Sequence, residues 1–66
     1  MKTYSNRFAE MEQQPCGGWI VWSKVAGLPL DEHGHLCDGS KEPKIHRDYA
    51  SARETMLILT ASYKRL

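Results

Sequence analysis

His33, His35 and Cys37 stand at alternate positions of the chain, and alternate residues of an extended segment project to one side. This triplet is the one place where metal ligands could gather, with Cys16 and His46 as more distant recruits. Zinc takes four nitrogen or sulfur ligands in a tetrahedron, and its structural sites usually draw pairs of ligands two to four residues apart from a tight turn. Here Gly34 puts a bend inside the triplet, and no Cys-x-x-Cys occurs. The reading adopted is a histidine-rich turn facing water, with Cys37 as a small core residue. No metal and no cofactor are expected, and His33, His35 and Cys37 stand as the weaker alternative, a zinc-stabilised loop.

The same side chains could be assembled into a nucleophile and base, Cys37 with His35 or His46. That chemistry needs a thiolate within hydrogen-bond reach of an oriented base, in a pocket that excludes water. A chain of 66 residues leaves little room for one. A phosphate-binding loop is also missing, because Gly17-Gly18 leads into a strand pattern and not into a helix N-terminus. The expectation is a protein without enzymatic activity and without catalytic residues.

Basic side chains concentrate in the second half, where Lys44, Arg47 and Arg53 could follow phosphates while Tyr49 stacks on an unpaired base. Acids are interleaved with them at Asp38, Glu42, Asp48 and Glu54, and the formal net charge is only +1. A mixed, solvated surface is therefore the default, and nucleic-acid binding through Lys44, Arg47, Tyr49 and Arg53 is the second reading.

The elements that position these residues follow from the hydrophobic pattern. Trp19-Ile20-Val21-Trp22 sets two tryptophans and two β-branched residues in four positions, and Trp19 to Val25 is the strongest strand. Alternation puts Trp19 and Val21 on one face, Ile20 and Trp22 on the other. Upstream, Gln14-Pro15-Cys16-Gly17-Gly18 reads as a turn. Tyr4, Phe8 and Met11 have helical spacing, yet a strand from about Phe8 is preferred, because the tryptophan strand needs neighbours on both edges. Turn signals around Gly34 and at Asp38-Gly39 bracket a short returning strand over His35 to Cys37, and an extended segment from Lys44 to Tyr49 feeds the last helix. That helix runs from Ser51 to Leu66, with Ser51-Ala52-Arg53-Glu54 as a capping box and Asp48 as a competing cap. Ala52, Met56, Leu59, Tyr63 and Leu66 make its core stripe, while Leu57 and Ile58 point elsewhere.

The fold class is α+β, a single domain over residues 1–66 with a small antiparallel sheet of three or four short strands and one C-terminal helix packed on a face. One helix covers one face of a sheet. The second apolar face is either covered by the N-terminal segment carrying Tyr4, Phe8 and Met11 or left for a partner, and tryptophan and tyrosine are the side chains most enriched where a small protein grips a partner. The function expected is a binding or inhibitory protein acting on a larger host protein or nucleoprotein complex, with a homodimer as a further possibility. This is the format of small phage and mobile-element proteins such as anti-CRISPRs, an analogy of size that assigns no residue. The partner-binding candidates are whichever of Trp19 and Trp22 faces away from the helix, extended by Leu57 and Ile58. No apolar run could span a bilayer, residues 1–14 lack the apolar centre of a signal peptide, and the two cysteines are expected as free thiols in the cytoplasm. Because the irregular ligand spacing argues against a structural metal, purified protein treated with a chelator is expected to keep its circular dichroism spectrum and melting temperature. Stoichiometric zinc together with unfolding on chelation would reverse that expectation.

Overall fold

The tryptophan strand becomes the centre of the sheet because it acquires hydrogen-bonding neighbours on both edges. The computed structural model describes residues 2–39 and 41–65. It contains β1 (Thr3–Ser5), β2 (Ala9–Gln13), β3 (Trp19–Ser23), β4 (Leu28–Pro29) and α1 (Tyr49–Lys64). The four strands form one antiparallel sheet in the order β1-β2-β3-β4. Beyond β4, residues 44–46 return beside the start of β3, where the amide of Trp19 donates to the His46 carbonyl at 2.8 Å and the amide of His46 donates back at 2.7 Å. The returning segment at 35–37 contributes a single bridge, Leu30 to Leu36.

Register decides what the helix covers. Ala9 pairs with Ser23, Met11 with Val21 and Gln13 with Trp19, so these residues share the face under α1. The core is Ala9, Met11, Trp19, Val21, Leu30, Ala52 and Met56, with Leu59 packed half-buried against it. Met11 and Val21 are completely enclosed, and burial of side chains of this size stabilises by about 1.5–3 kcal/mol each. Tyr4, paired with Met11, reaches the same side and meets the ring of Trp19 at 5.8 Å between centroids. The N-terminal segment therefore widens the sheet as two strands; it neither forms a helix nor folds over the second face.

Two boundaries differ from those read off the chain. The helix begins at Tyr49 with Asp48 as its cap, whose Oδ1 accepts from the Ser51 amide at 2.8 Å. Ser51 is thereby inside the first turn, and its hydroxyl lies 3.1 Å from His46 Nδ1 and not in a capping box. The earlier start is consistent with the packing of the Tyr49 ring edge-on against both Tyr4 and Trp19. The tryptophan strand stops at Ser23, short of Val25, because Ser23 closes a turn: its Oγ accepts the Ala26 amide at 3.0 Å and its carbonyl accepts the Gly27 amide at 2.8 Å. Leu66, assigned to the helix stripe, lies outside the described residues.

Polar side chains fasten the sheet to the helix. Asn6 Oδ1 accepts the amides of Phe8 and Ala9 at 2.8 and 2.9 Å, which forms the turn between β1 and β2. Its Nδ2 donates to Thr60 Oγ1 at 3.0 Å, and that buried hydroxyl donates to the Met56 carbonyl at 2.8 Å. Three residues further along the helix the Tyr63 hydroxyl lies 2.6 Å from Ser23 Oγ, and its ring stacks on Phe8. Asn6→Ala removes three of these bonds and strands the amide of buried Ala9, so a loss of about 1–3 kcal/mol is expected. Urea titration of the two proteins measures it, and an unchanged midpoint would show that the Asn6 turn is not needed.

Candidate functional site

The face of the sheet away from α1 carries Ile20 and Trp22 from β3, Glu10 and Glu12 from β2, and Pro29 from β4. Glu10 pairs directly with Trp22, Glu12 with Ile20, and Trp22 with Pro29. Strand alternation puts all of them opposite the core. Ile45 extends this surface, because it rests over Gly18, two residues before Ile20. A Cβ at Gly18 would collide with Ile45 Cγ2 and lie 3.0 Å from the His46 carbonyl oxygen. Glycine is required there for the 44–46 segment to dock. The outcome is an apolar band of Ile45, Ile20, Trp22 and Pro29 with two carboxylates along one side. Ile20 is 9% exposed, Ile45 49%, and Trp22 and Pro29 are half-buried.

Of the two tryptophans, Trp22 is the one that faces away from the helix. Trp19 is 5% exposed, enclosed by Met11, Val21 and the rings of Tyr4 and Tyr49, and is a core residue. Leu57 and Ile58 are exposed on the helix. Since α1 packs on the opposite face, they lie across the sheet from Trp22 and do not extend its band. The expectation that they would is corrected by the side of the sheet the helix takes. They also diverge from each other: Leu57 lines a shallow groove with Tyr49 and Arg53, Ile58 a different one with Leu30 and His46.

The histidine and cysteine positions do not converge. His33 and His35 are exposed, their ring centroids 6.3 Å apart, whereas Cys37 is buried with its Sγ donating to the Glu42 carbonyl at 3.5 Å. Among the described residues no three His, Cys, Asp or Glu side chains group as a metal site would require. Both cysteines are free thiols, Cys16 exposed and Cys37 buried. Burial, aided by the Asp31 carboxylate, pushes the Cys37 thiol above its ordinary pKa, the reverse of the shift that activates a nucleophile.

Asp31 organises this loop, a role its sequence context did not announce. Its Oδ1 accepts the amides of His33 and His35 at 2.8 and 3.0 Å. The His35 amide chiefly, with that of His33, holds the carboxyl below its usual pKa against the opposing effect of burial. Lys41 Nζ adds a long ion pair at 3.9 Å from an exposed position, which contributes little in water.

The four residues of the nucleic-acid reading are dispersed. Lys44 shares a groove with Asp31, Glu32 and Glu42; Arg47 lies beside Cys16, Gly17 and Ile45; Arg53 lies with Tyr49, Glu54 and Leu57. Tyr49 is engaged with Tyr4 and Trp19. Three grooves, two of them acidic in part, do not make one basic track.

His46 is the buried ionisable group that joins the edge segment to the helix. It is 8% exposed, its Nδ1 meets Ser51 Oγ, and its Nε2 is enclosed without a hydrogen-bond partner. Burial, reinforced by nearby Lys44, lowers its pKa. In the unfolded chain a histidine takes up a proton below about pH 6.5, whereas folded His46 resists protonation. The unfolded state then binds more protons, so the stability that neutral His46 permits is fully present above about pH 6.5 and falls as the pH drops from there toward the folded pKa. Urea melts at pH 7.5 and 5.5 should show this loss in the parent protein and a smaller one in His46→Gln; equal pH dependence in both would refute it.

No protein-family model matches the chain, no curated protein matches it in sequence, and no solved structure matches it.

Proposed function

We propose that this chain is a non-enzymatic binding protein that docks onto a larger protein or nucleoprotein complex through the uncovered face of its sheet and inhibits it by occupying that surface. One observation carries the reading: Trp22, a large half-buried aromatic, sits with Ile20, Ile45 and Pro29 on a face that the helix leaves open. Apolar surface left accessible on one face of a small domain is a candidate interaction site. A half-buried tryptophan flanked by an apolar and an acidic side chain also has the composition of a binding hot spot.

The two tryptophans make a matched test, because they sit three residues apart on opposite faces of one strand. Trp19→Ala empties the core and should cost about 3–5 kcal/mol of stability. Trp22→Ala should change the melting temperature much less, while weakening capture of the partner by about 2 kcal/mol or more. Thermal melting, size-exclusion chromatography and tagged pull-down from the native host with mass spectrometry read the two effects separately. Equal destabilisation by both substitutions, with association unchanged, would remove the basis of this function.

A further inference from the structure

We infer that the partner presents an arginine side chain to the pair formed by Glu10 and Trp22. This rests on the proposed docking face and specifies the chemistry that the face accepts. Glu10 and Trp22 are directly opposed across β2 and β3, which brings their Cβ atoms to roughly 4.5–5.5 Å. A carboxylate and an indole then rise side by side from the same surface. Glu12, paired with Ile20, repeats the negative charge one step along. Neither carboxylate forms an ion pair with another described residue, although the chain has nine lysines and arginines and Lys24 follows Trp22 by two positions.

The shape of this pair discriminates between cations. A guanidinium is planar: it can lie on the indole face while its N–H fork points at the neighbouring carboxylate. An ammonium is a strongly hydrated point charge that matches the carboxylate but gains less from the ring. A neutral isostere of arginine keeps the shape and loses the charge. Pro29, paired with Trp22 on its other side, offers an apolar neighbour to the aliphatic stem.

The test uses the full chain labelled with nitrogen-15 and a blocked tetrapeptide, Gly-Leu-Arg-Gly, with counterparts carrying lysine or citrulline in place of arginine. The arginine peptide should shift the Trp22 indole resonance and leave that of Trp19 unmoved, with millimolar affinity that declines as salt is raised. The lysine peptide should bind several-fold more weakly and the citrulline peptide about tenfold more weakly. Glu10→Gln, a variant expected to fold because Glu10 lies outside the core and is checked by its amide spectrum, should weaken arginine binding by about tenfold. Equal shifts from the arginine and citrulline peptides, or no shift of Trp22 at all, would overturn the inference. So would dimerisation through Trp22, which would make a second copy the occupant. If Trp22→Ala abolishes partner capture while Glu10→Gln leaves both capture and peptide binding intact, the docking face stands and the arginine assignment falls.

Discussion

A strand with large apolar side chains on both faces sets the terms for the rest of this molecule. β3 alternates Trp19 and Val21 with Ile20 and Trp22, so whatever packs on one side leaves the other unresolved. The described residues form one helix, and the register of β2 against β3 directs it to the Trp19 side, where Ala9, Met11 and Val21 provide a floor that Ala52 and Met56 can meet closely. Short side chains at Ala9 and Ala52 let the layers approach, and long ones at Met11 and Met56 fill the remaining space. On the other side the 44–46 segment reaches Gly18, admitted because residue 18 has no side chain.

So small a core is supplemented by polar fasteners placed where helix and strands meet. Asn6 with Thr60, Ser23 with Tyr63 and His46 with Ser51 each bridge positions distant in the chain or fix the entry of the helix. Each such bond contributes modestly, yet loss of one partner exposes a buried donor or acceptor to a larger penalty. This makes the helix position specific: its register against the sheet is dictated by three hydrogen-bonded contacts as well as by apolar fit. It also makes the domain sensitive to protonation at His46, where one ring nitrogen is satisfied and the other is enclosed.

The proposed function draws on the face that the helix does not cover. Among the described residues the candidate ligands and nucleophiles do not group: His33 and His35 are exposed, Cys16 is exposed, and Cys37 is buried with its thiol pushed above the ordinary pKa. In the proposed reading, recognition falls to the sheet face away from the helix, where an indole, two carboxylates and aliphatic groups share one side of β2, β3 and β4. A rigid two-stranded platform suits that purpose, since side chains on paired strands hold their mutual spacing without further ordering.

Periodicity within the chain was enough to establish much of the architecture. The alternating tryptophan strand, the glycine-rich turn before it, the uninterrupted helical stripe through Ala52, Met56 and Leu59, and the α+β layering all depend on near-neighbour spacing, which a sequence displays directly. The choice between Trp19 and Trp22 does not, because both faces of β3 are equally apolar and only the pairing with β2 and the docking of α1 break that symmetry. The same holds for Leu57 and Ile58, whose separation from Trp22 reflects which side of the sheet the helix occupies. Thr60 was invisible as a core residue because its polar atom is satisfied by Asn6, fifty-four positions away. Asp31, His46 and the Asp48 cap likewise depend on which amides and hydroxyls come within about 3 Å after folding. Local spacing thus indicated the tryptophan strand, the helix and their apolar faces but not β1 or β4, whereas the tertiary structure alone decided which apolar face the helix took and which carboxylate stands beside its tryptophan, because those are relations between segments that meet only when the sheet forms.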